Sequence, residues 1–446
     1  MNESQSPALR NHILRLVLLA VLVAPAAETR SPLSERAAVF EEVWSTIQDK
    51  YYDPAFNGVD WNAVRLEYRP RLNGVTNDQD FYLLLSRMVA ELHDAHTRFR
   101  SPRQRQEREQ RVAASTGIIV REIEGVPVVV DVTPGSDAAR AGVVAGMIVR
   151  QVDGRPFPER LEEVSREIEP GSSERHTRLI AYARALGGRP DSSLALELAH
   201  ADGSLLEVTL LRRTVPATPQ FSSLLLPSGY VYIRFDRFRS PVGKQVRAVL
   251  EEHKHAPGLI LDLRVNGGGD AQEMLRIAEL FFDREVPVGR LLTRTGKPPS
   301  FFLGLVRLPI EISAGREGGQ VYGGPLVVLT SEATGSSSET LVNLLQEQQR
   351  ATILGTQTCG CALGVLRHRK VQGGGELDVS EIGLLSAKGR KIEGAGITPD
   401  KILTPTILDL QRQRDVPLEE AQKILAKRSA RRMDVYCSQQ PNGPGG

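Results

Sequence analysis

Hydrophobic and polar positions follow three different patterns along this chain of 446 residues. From 34 to 110, apolar residues recur three and four positions apart, which predicts amphipathic helices, and the charged run over 101–111 is typical of a solvated linker. From 111 to 215, short apolar runs alternate with turns, and Asp202-Gly203 marks a β-hairpin. From 216 to 410, apolar strands alternate with helical segments, which predicts a mainly parallel sheet covered by helices.

The two ends of the chain differ from this body. An apolar run, Leu16 to Val23, follows a basic flank and precedes the small-residue site Ala24-Pro25-Ala26, so we interpret 1–26 as a signal peptide. The run is too short to span a bilayer comfortably. We therefore expect export to the periplasm or the extracellular space, with a membrane anchor as the alternative if the signal is not cleaved. Residues 411–446 are expected to form a helical or disordered tail.

Composition excludes several partners. The formal net charge is +2, which does not indicate a nucleic-acid partner. Three cysteines are too few for a disulfide framework, and their odd number leaves at least one thiol free or intermolecular. No Cys/His spacing typical of a metal site occurs, so no metal and no cofactor are predicted.

Two loops carry candidate chemistry because each joins an apolar strand to a helix. Ser336, Ser337 and Ser338 lie where backbone N–H groups and the helix dipole suit an oxyanion, although serines also cap helices at such positions. The loop Gly267–Gly269 allows close backbone approach to a ligand, as an oxyanion donor or a phosphate cradle, but it is equally typical of a tight turn.

A third segment, "ELHDAHTRF", places His93, Asp94 and His96 close together. A histidine serves as a general base only when another group orients it. The same residues also fit a metal site, or a surface turn without a function.

Together these segments resemble a known family. "GLILDLRVNGGG", "TSEATGSSSETL" and "GRKIEGAGITPD" look like the core of the carboxyl-terminal processing (tail-specific) peptidases, and "ELHDAHTRF" resembles the motif that closes their N-terminal helical region. Residues 111–215 resemble the PDZ domain of these proteins. The resemblance implies a multidomain α+β and α/β fold: an N-terminal helical region over 34–110, a β-rich PDZ module, and a ClpP/crotonase-like α/β peptidase core over 216–410.

The resemblance also implies catalytic roles. The family nucleophile corresponds to Ser336. In the branch that uses a lysine base, this lysine would stand at Cys361, and an assisting glutamine at Val365, so that apparatus is absent. The tricorn-type branch uses Ser, His and Glu, and this chain has His96 and Glu393 at the matching positions. We therefore expect His96 to activate Ser336 and Glu393 to orient His96, which requires the N-terminal helical region to dock beside the serine turn.

Two further sets of residues follow from the resemblance. The oxyanion hole is expected to use the N–H of Ser337 and that of Gly268 or one of its neighbouring glycines. The PDZ carboxylate loop is expected at Gly117, Ile118, Ile119 and Val120, where a peptide adds as a strand.

The sequence thus predicts an exported serine endopeptidase that acts on polypeptides with free C-termini. The alternative is a catalytically inactive PDZ-containing binding or scaffold protein on the same fold.

Overall fold

A computed structural model describes residues 32–110, 112–168, 171–216, 220–301, 306–317 and 321–438. The predicted signal peptide and the last eight residues lie outside these ranges. Among the described helices, none has both the length and the apolar character that a membrane span requires.

Four helices and one strand form the N-terminal region: α1 (Pro32–Lys50), α2 (Trp61–Arg71), α3 (Asp78–Ala90), β1 (Arg98–Arg100) and α4 (Pro102–Gln110). Their apolar faces enclose an aromatic core that includes Phe40, Tyr51 and Trp61. The same cluster includes Leu377 and Val379 of the C-terminal half, so the region docks on the rest of the protein.

The charged run over 101–111 is not a solvated linker, because most of it forms α4. Arg103 pairs with Glu107 one turn later along this helix. Arg108 reaches Glu376, which is almost fully buried. The prediction was wrong because charge alternation stabilises an exposed helix as readily as it solvates a loop.

The middle module is β-rich and contains β2 (Val112–Ser115), β3 (Ile118–Ile123), β4 (Val126–Val132), α5 (Asp137–Arg140), β5 (Ile148–Val152), β6 (Arg155–Pro156), α6 (Phe157–Glu167), α7 (Glu174–Ala185), β7 (Ser193–Ala199), β8 (Leu205–Leu211) and β9 (Arg213–Pro216). Its main sheet has the order β3-β4-β5-β7-β8, and β2 pairs with β9 where the chain enters and leaves the module. The antiparallel β7–β8 pair confirms the predicted hairpin. Strand β3 lies at the sheet edge, beside α7.

The remaining elements are β10 (Phe221–Leu225), β11 (Val231–Phe235), α8 (Val242–Glu252), β12 (Leu259–Asp262), α9 (Ala271–Ala278), β13 (Val286–Leu292), β14 (Ser300–Phe301), β15 (Val306–Arg307), β16 (Glu311–Ala314), β17 (Leu326–Thr330), α10 (Ser337–Glu347), β18 (Thr352–Gly355), β19 (Gly364–Val365), β20 (Arg369–Lys370), β21 (Glu376–Asp378), β22 (Ser380–Ser386), β23 (Lys401–Ile402), α11 (Ile407–Gln411) and α12 (Val416–Ser438).

The central sheet has the order β10-β11-β12-β17-β18-β23, and all of its pairs are parallel except β10–β11. Alternate residues of each strand face opposite sides. Leu261 and Val328 pack toward α8, α9 and α10, whereas Ile260 and Val327 pack toward α12. This confirms the predicted helix-covered parallel sheet. It also shows that the tail includes a helix that buries one face of the sheet.

Strand β1 adds to β21 in antiparallel register, with Arg98 opposite Asp378. Arg100 extends from this strand to Glu376 and Asp378. This pairing fixes the segment that carries His96 against the C-terminal half of the chain.

Candidate active site

Ser336 stands between the carboxyl end of β17 and the first residue of α10, in a backbone conformation that is rare for a residue with a side chain. Its φ is 55° and its ψ is −122°. The N–H of Ser336 donates to the carbonyl of Cys361 at 2.8 Å and to Glu339 Oε2 at 3.2 Å. Such conformations persist only where the surroundings impose them, and they concentrate at functional sites.

Glu339 holds this conformation from inside the protein. The side chain is fully buried, and its carboxylate accepts hydrogen bonds from the N–H groups of Gly360 (2.7 Å) and Cys361 (2.8 Å) as well as from Thr358 Oγ1. Burial raises the pKa of Glu339, while these donors act in the opposite direction. One carboxylate thereby ties the serine turn to the loop that contains both cysteines.

The glycine loop lies directly against the serine. A Cβ on Gly268, whose φ is +100°, would lie 2.5 Å from the Cβ of Ser336 and 3.0 Å from the backbone nitrogen of Ser337. Asn266 is fully buried. Its Oδ1 accepts hydrogen bonds from the Ser338 hydroxyl and, at 2.9 Å, from the N–H of Gly268. Glycine at 268 is therefore required by both its backbone conformation and the approach of Ser336.

The backbone donors near Ser336 differ in their availability. The Gly268 N–H is already bonded to Asn266. In contrast, the N–H groups of Ser337, Gly267 and Gly269 have no hydrogen-bond acceptor among the described residues.

His96 is held by the backbone of its own turn. Its N–H donates to Asp94 Oδ1 at 2.7 Å, and Thr97 Oγ1 bonds to the other carboxylate oxygen. Its Nδ1 is buried without a hydrogen-bond partner among the described residues. Burial lowers the pKa of His96, and Arg98 lowers it further, whereas Asp94 opposes this shift. The imidazole is therefore neutral at physiological pH, which is the form a general base needs.

Glu393 reaches the same neighbourhood through two short connections. Its Oε2 accepts the N–H of Ala362, the residue after Cys361, at 2.6 Å. It is also bonded to the hydroxyl of Ser172, and that hydroxyl accepts the N–H of Ala95 at 2.9 Å. Burial and the nearby Asp94 carboxylate raise the pKa of Glu393 to about 8.

The three predicted catalytic residues thus converge on one region by short chains of contacts. Ser336 is hydrogen-bonded to Cys361, and the next residue, Ala362, is hydrogen-bonded to Glu393. Glu393 is in turn bonded to Ser172, which accepts the N–H of the residue before His96. A direct bond between Glu393 and the His96 ring is not among the hydrogen bonds of the described residues.

Sequence reasoning missed the contribution of the middle module. Ser173 caps α7 by accepting the N–H of His176, and the same hydroxyl donates to the carbonyl of Cys359. Arg175 donates to the carbonyl of Thr358. Burial, Arg98 and His96 lower the pKa of His176 to about 4. No local motif marks these residues, since only the docking of α7 brings them to the cysteine loop.

Cys359 and Cys361 form a disulfide across a single glycine, and both side chains are buried. The ligand atoms of His176 and the two cysteines lie within 4.8 Å of one another. The alternative metal set of His93, Asp94 and His96 does not form such a group among the described residues. His93 is exposed, and Asp94 already bonds to its own turn.

A cavity of about 760 Å³ separates the middle module from the core. It is lined by Ile119 and Arg121 of β3, by Arg178 and Tyr182 of α7, and by residues of the core. Arg121 pairs across it with Glu332, at 3.3 Å, in the loop that leads to Ser336. Gly117, at φ 79°, donates its N–H to Ser115 Oγ.

Comparisons with known proteins show which family this chain resembles. Residues 229–403 match peptidase family S41, and residues 32–90 match the tricorn protease C1 domain. The carboxyl-terminal-processing peptidase 3 of Arabidopsis thaliana chloroplasts is 26% identical over 82% of this chain and 69% of its own length. The carboxyl-terminal-processing protease of a Synechocystis species is 26% identical over 88% of this chain and 87% of its own length.

A solved structure, the photosystem II D1 C-terminal processing protease, has a TM-score of 0.55 with 24% identity and covers 85% of this chain and 96% of its own. At this identity the likeness shows the fold. The sequence prediction of a relationship to the carboxyl-terminal processing peptidases is confirmed, and so is the class of serine-type hydrolase.

Proposed function

We propose that this chain, a serine-type peptidase with an S41 domain, is an exported endopeptidase that cleaves polypeptides after engaging their free C-terminal ends. The observation that carries the proposal is the turn at Ser336. Its positive φ, the Glu339 carboxylate beneath it and the N–H of Ser337 beside it are what a nucleophile and its oxyanion hole require.

In the proposed mechanism, Ser336 attacks the scissile carbonyl while His96 takes the proton of its hydroxyl. His96 later gives this proton to the leaving amine. The neutral state of the partly buried imidazole supports its role as base. Glu393 orients the imidazole and stabilises its protonated form, for which its carboxylate moves from Ser172 toward the unpartnered Nδ1 as substrate binds. Catalytic hydrogen bonds are often long or poorly aligned before substrate binds, and they tighten in the complex with substrate.

The N–H of Ser337 supplies one donor of the proposed oxyanion hole, because the start of α10 leaves it free among the described residues and directs the helix dipole toward the developing charge. The second donor belongs to the glycine loop. We assign it to Gly268, whose N–H would have to break its hydrogen bond to Asn266 before it could donate to the oxyanion. Gly267 and Gly269 are therefore kept as alternatives.

For the middle module we propose a PDZ domain over 111–215, set between a helical region over 34–110 and a ClpP/crotonase-like core over 216–410. Strand β3, with Ile118, Ile119 and Val120, is an edge strand beside α7, so a peptide can add to it within the adjacent cavity. A free-acid peptide with an apolar end should therefore bind more tightly than its C-terminal amide. Equal affinities would remove the PDZ assignment.

The predicted signal peptide over 1–26 supports export. This assignment is tested by sequencing the N-terminus of the mature protein. A mature chain that begins after Ala26 supports export, whereas one that retains these residues favours the membrane-anchored alternative.

The experiment that tests the peptidase is active-site labelling with a fluorophosphonate, combined with cleavage of a tailed peptide. The wild-type chain should be labelled and active, Ser336→Ala should be neither, and the control Ser165→Ala, at an exposed position of α6, should match the wild type. A folded wild-type chain that is neither labelled nor active would support the alternative of an inactive PDZ-containing scaffold.

A further inference from the structure

The cluster of Cys359, Cys361 and His176 has no part in the proposed catalysis. We call it the cysteine–histidine cluster. Its two cysteines lie on the loop that follows β18, and its histidine lies in the first turn of α7, so it joins the core to the middle module.

The spacing of the ligand atoms suits a thiophilic cation. In a tetrahedral zinc site the Zn–S and Zn–N bonds are about 2.3 Å and 2.0–2.1 Å, so the ligand atoms lie about 3.5–3.8 Å apart. All three ligand atoms here fall within 4.8 Å of one another. The Cα atoms of the two cysteines are 5.3 Å apart, which leaves room for the two sulfur atoms to separate to this distance by side-chain rotation once they are no longer bonded.

The surroundings hold the ligands in place. Both cysteine side chains are buried, and the carbonyl of Cys359 accepts the hydroxyl of Ser173, which also caps the helix that carries His176. Gly360 is confined as well, because its N–H is bonded to Glu339 and a Cβ on it would lie 3.0 Å from the backbone of Gly394. Little reordering is therefore needed to present two sulfurs and one ring nitrogen to a single ion.

We propose that reduction of the Cys359–Cys361 disulfide creates a binding site for one Zn²⁺ ion, with both thiolates and the His176 imidazole as protein ligands. A water molecule completes the tetrahedron. The oxidised chain has no such site, because a disulfide sulfur has no negative charge to offer.

The two steps balance. A dithiol reductant gives two electrons and two protons to the disulfide, which becomes two thiols, and the reductant leaves as its own disulfide. Zn²⁺ then replaces the two thiol protons, which pass to the solvent. The two cysteines therefore lose the covalent bond within their loop and gain a bound metal ion that connects this loop to His176 on α7.

A second group, His368, Glu376 and Asp378, also has ligand atoms within 4.8 Å of one another. Its carboxylates are already paired with guanidinium groups, since Arg100 contacts both of them and Arg108 contacts Glu376. The cationic neighbours disfavour a metal there, and the group serves as an internal control.

The test measures zinc binding rather than peptidase activity, so its result does not depend on the proposed function. The full chain carries Cys437→Ser throughout, which removes the third thiol. Oxidised protein and protein reduced with dithiothreitol, then freed of it by anaerobic gel filtration, are incubated with zinc, gel-filtered again and analysed for bound metal. Cobalt(II) added in place of zinc reports thiolate ligands by its charge-transfer absorption.

Reduced protein should retain about one zinc per chain, and oxidised protein none. Cys361→Ser should abolish the thiolate–cobalt band at the same cobalt concentration, His176→Ala should weaken zinc binding by at least about tenfold, and His368→Ala should change nothing. Equal zinc content in the oxidised and reduced wild-type chains would overturn the proposal without any variant. So would a reduced chain that binds no zinc, or zinc lost only in His368→Ala.

Discussion

The pH dependence of peptide cleavage tests the triad most directly, because Glu393 and His96 are shifted in opposite directions. The pKa of Glu393 is raised to about 8, whereas that of His96 is lowered. A histidine base with an ordinary pKa would give an activity that rises around pH 6–7. In the structure the pKa of His96 is lowered by burial, whereas that of Glu393 is raised, so we expect the pH dependence to follow the ionisation of Glu393.

The sign follows from the role of each group. The orienting group must be an anion, and Glu393 becomes an anion as pH rises through its pKa, so activity should rise with pH. With a pKa of about 8, roughly one tenth of the carboxylate is ionised at pH 7 and roughly nine tenths at pH 9. The value of kcat/KM should therefore rise about tenfold between these two pH values.

The matched variant is Glu393→Gln, which keeps the shape of the side chain and removes its charge. Its rate should be lower by up to about 10⁴ at pH 9, and it should lose the rise near pH 8. At pH 6, where wild-type Glu393 is itself protonated, the two enzymes should differ far less. Glu381→Gln, at a carboxylate paired with Arg369, is the control and should keep the wild-type profile.

The measurement is kcat/KM for a tailed peptide from pH 5 to 10, with a folding check by circular dichroism at each end of the range. A wild-type profile that is flat across pH 8 would refute the role of Glu393. A rise near pH 8 that persists in Glu393→Gln would assign this ionisation to another group.

The remaining predictions concern the geometry around the nucleophile. Gly268→Ala should lower turnover by about 10²-fold, because the new Cβ would collide with the Cβ of Ser336. Gly267→Ala, where a Cβ would have open space around it, should retain the wild-type rate. Equal turnover rates for the two variants would contradict this packing. His96→Ala should reduce turnover by about 10²- to 10⁴-fold while the exposed His93→Ala does not, and the reverse order would exclude His96 as the base. Glu339→Gln should lower the free energy of unfolding by about 3 kcal/mol, because an amide cannot accept all the hydrogen bonds that this buried carboxylate accepts. Urea denaturation measures this change, and an unchanged denaturation midpoint would contradict the structural role of Glu339.

Patterns of short range were predictable from the sequence. The helix at α10, the buried strand β17 and the hairpin between β7 and β8 follow from periodicity and turn residues. Asn77 caps α3 by accepting the N–H of Asp80, which is a common role for asparagine before a helix. Such features depend on interactions between residues that are close in the sequence, so they can be predicted from the sequence.

Features that depend on docking were not predictable. Ser173, Arg175 and His176 reach the cysteine loop only because α7 packs on the core, and the sequence of this helix contains no motif that indicates the contact. The disulfide was missed for a related reason. An odd number of cysteines does not tell which two are close, and that depends on the tight turn at Gly360.

The pairing of β1 with β21 has a consequence for the timing of synthesis. Arg100 and its partner Glu376 are 276 residues apart, so this contact cannot form until most of the chain has left the ribosome. Of the three residues of the proposed triad, the base His96 is synthesised early, the nucleophile Ser336 late and Glu393 last. A partly made chain therefore holds a serine turn without its base in place, and the protease gains activity only after the whole catalytic domain has been completed.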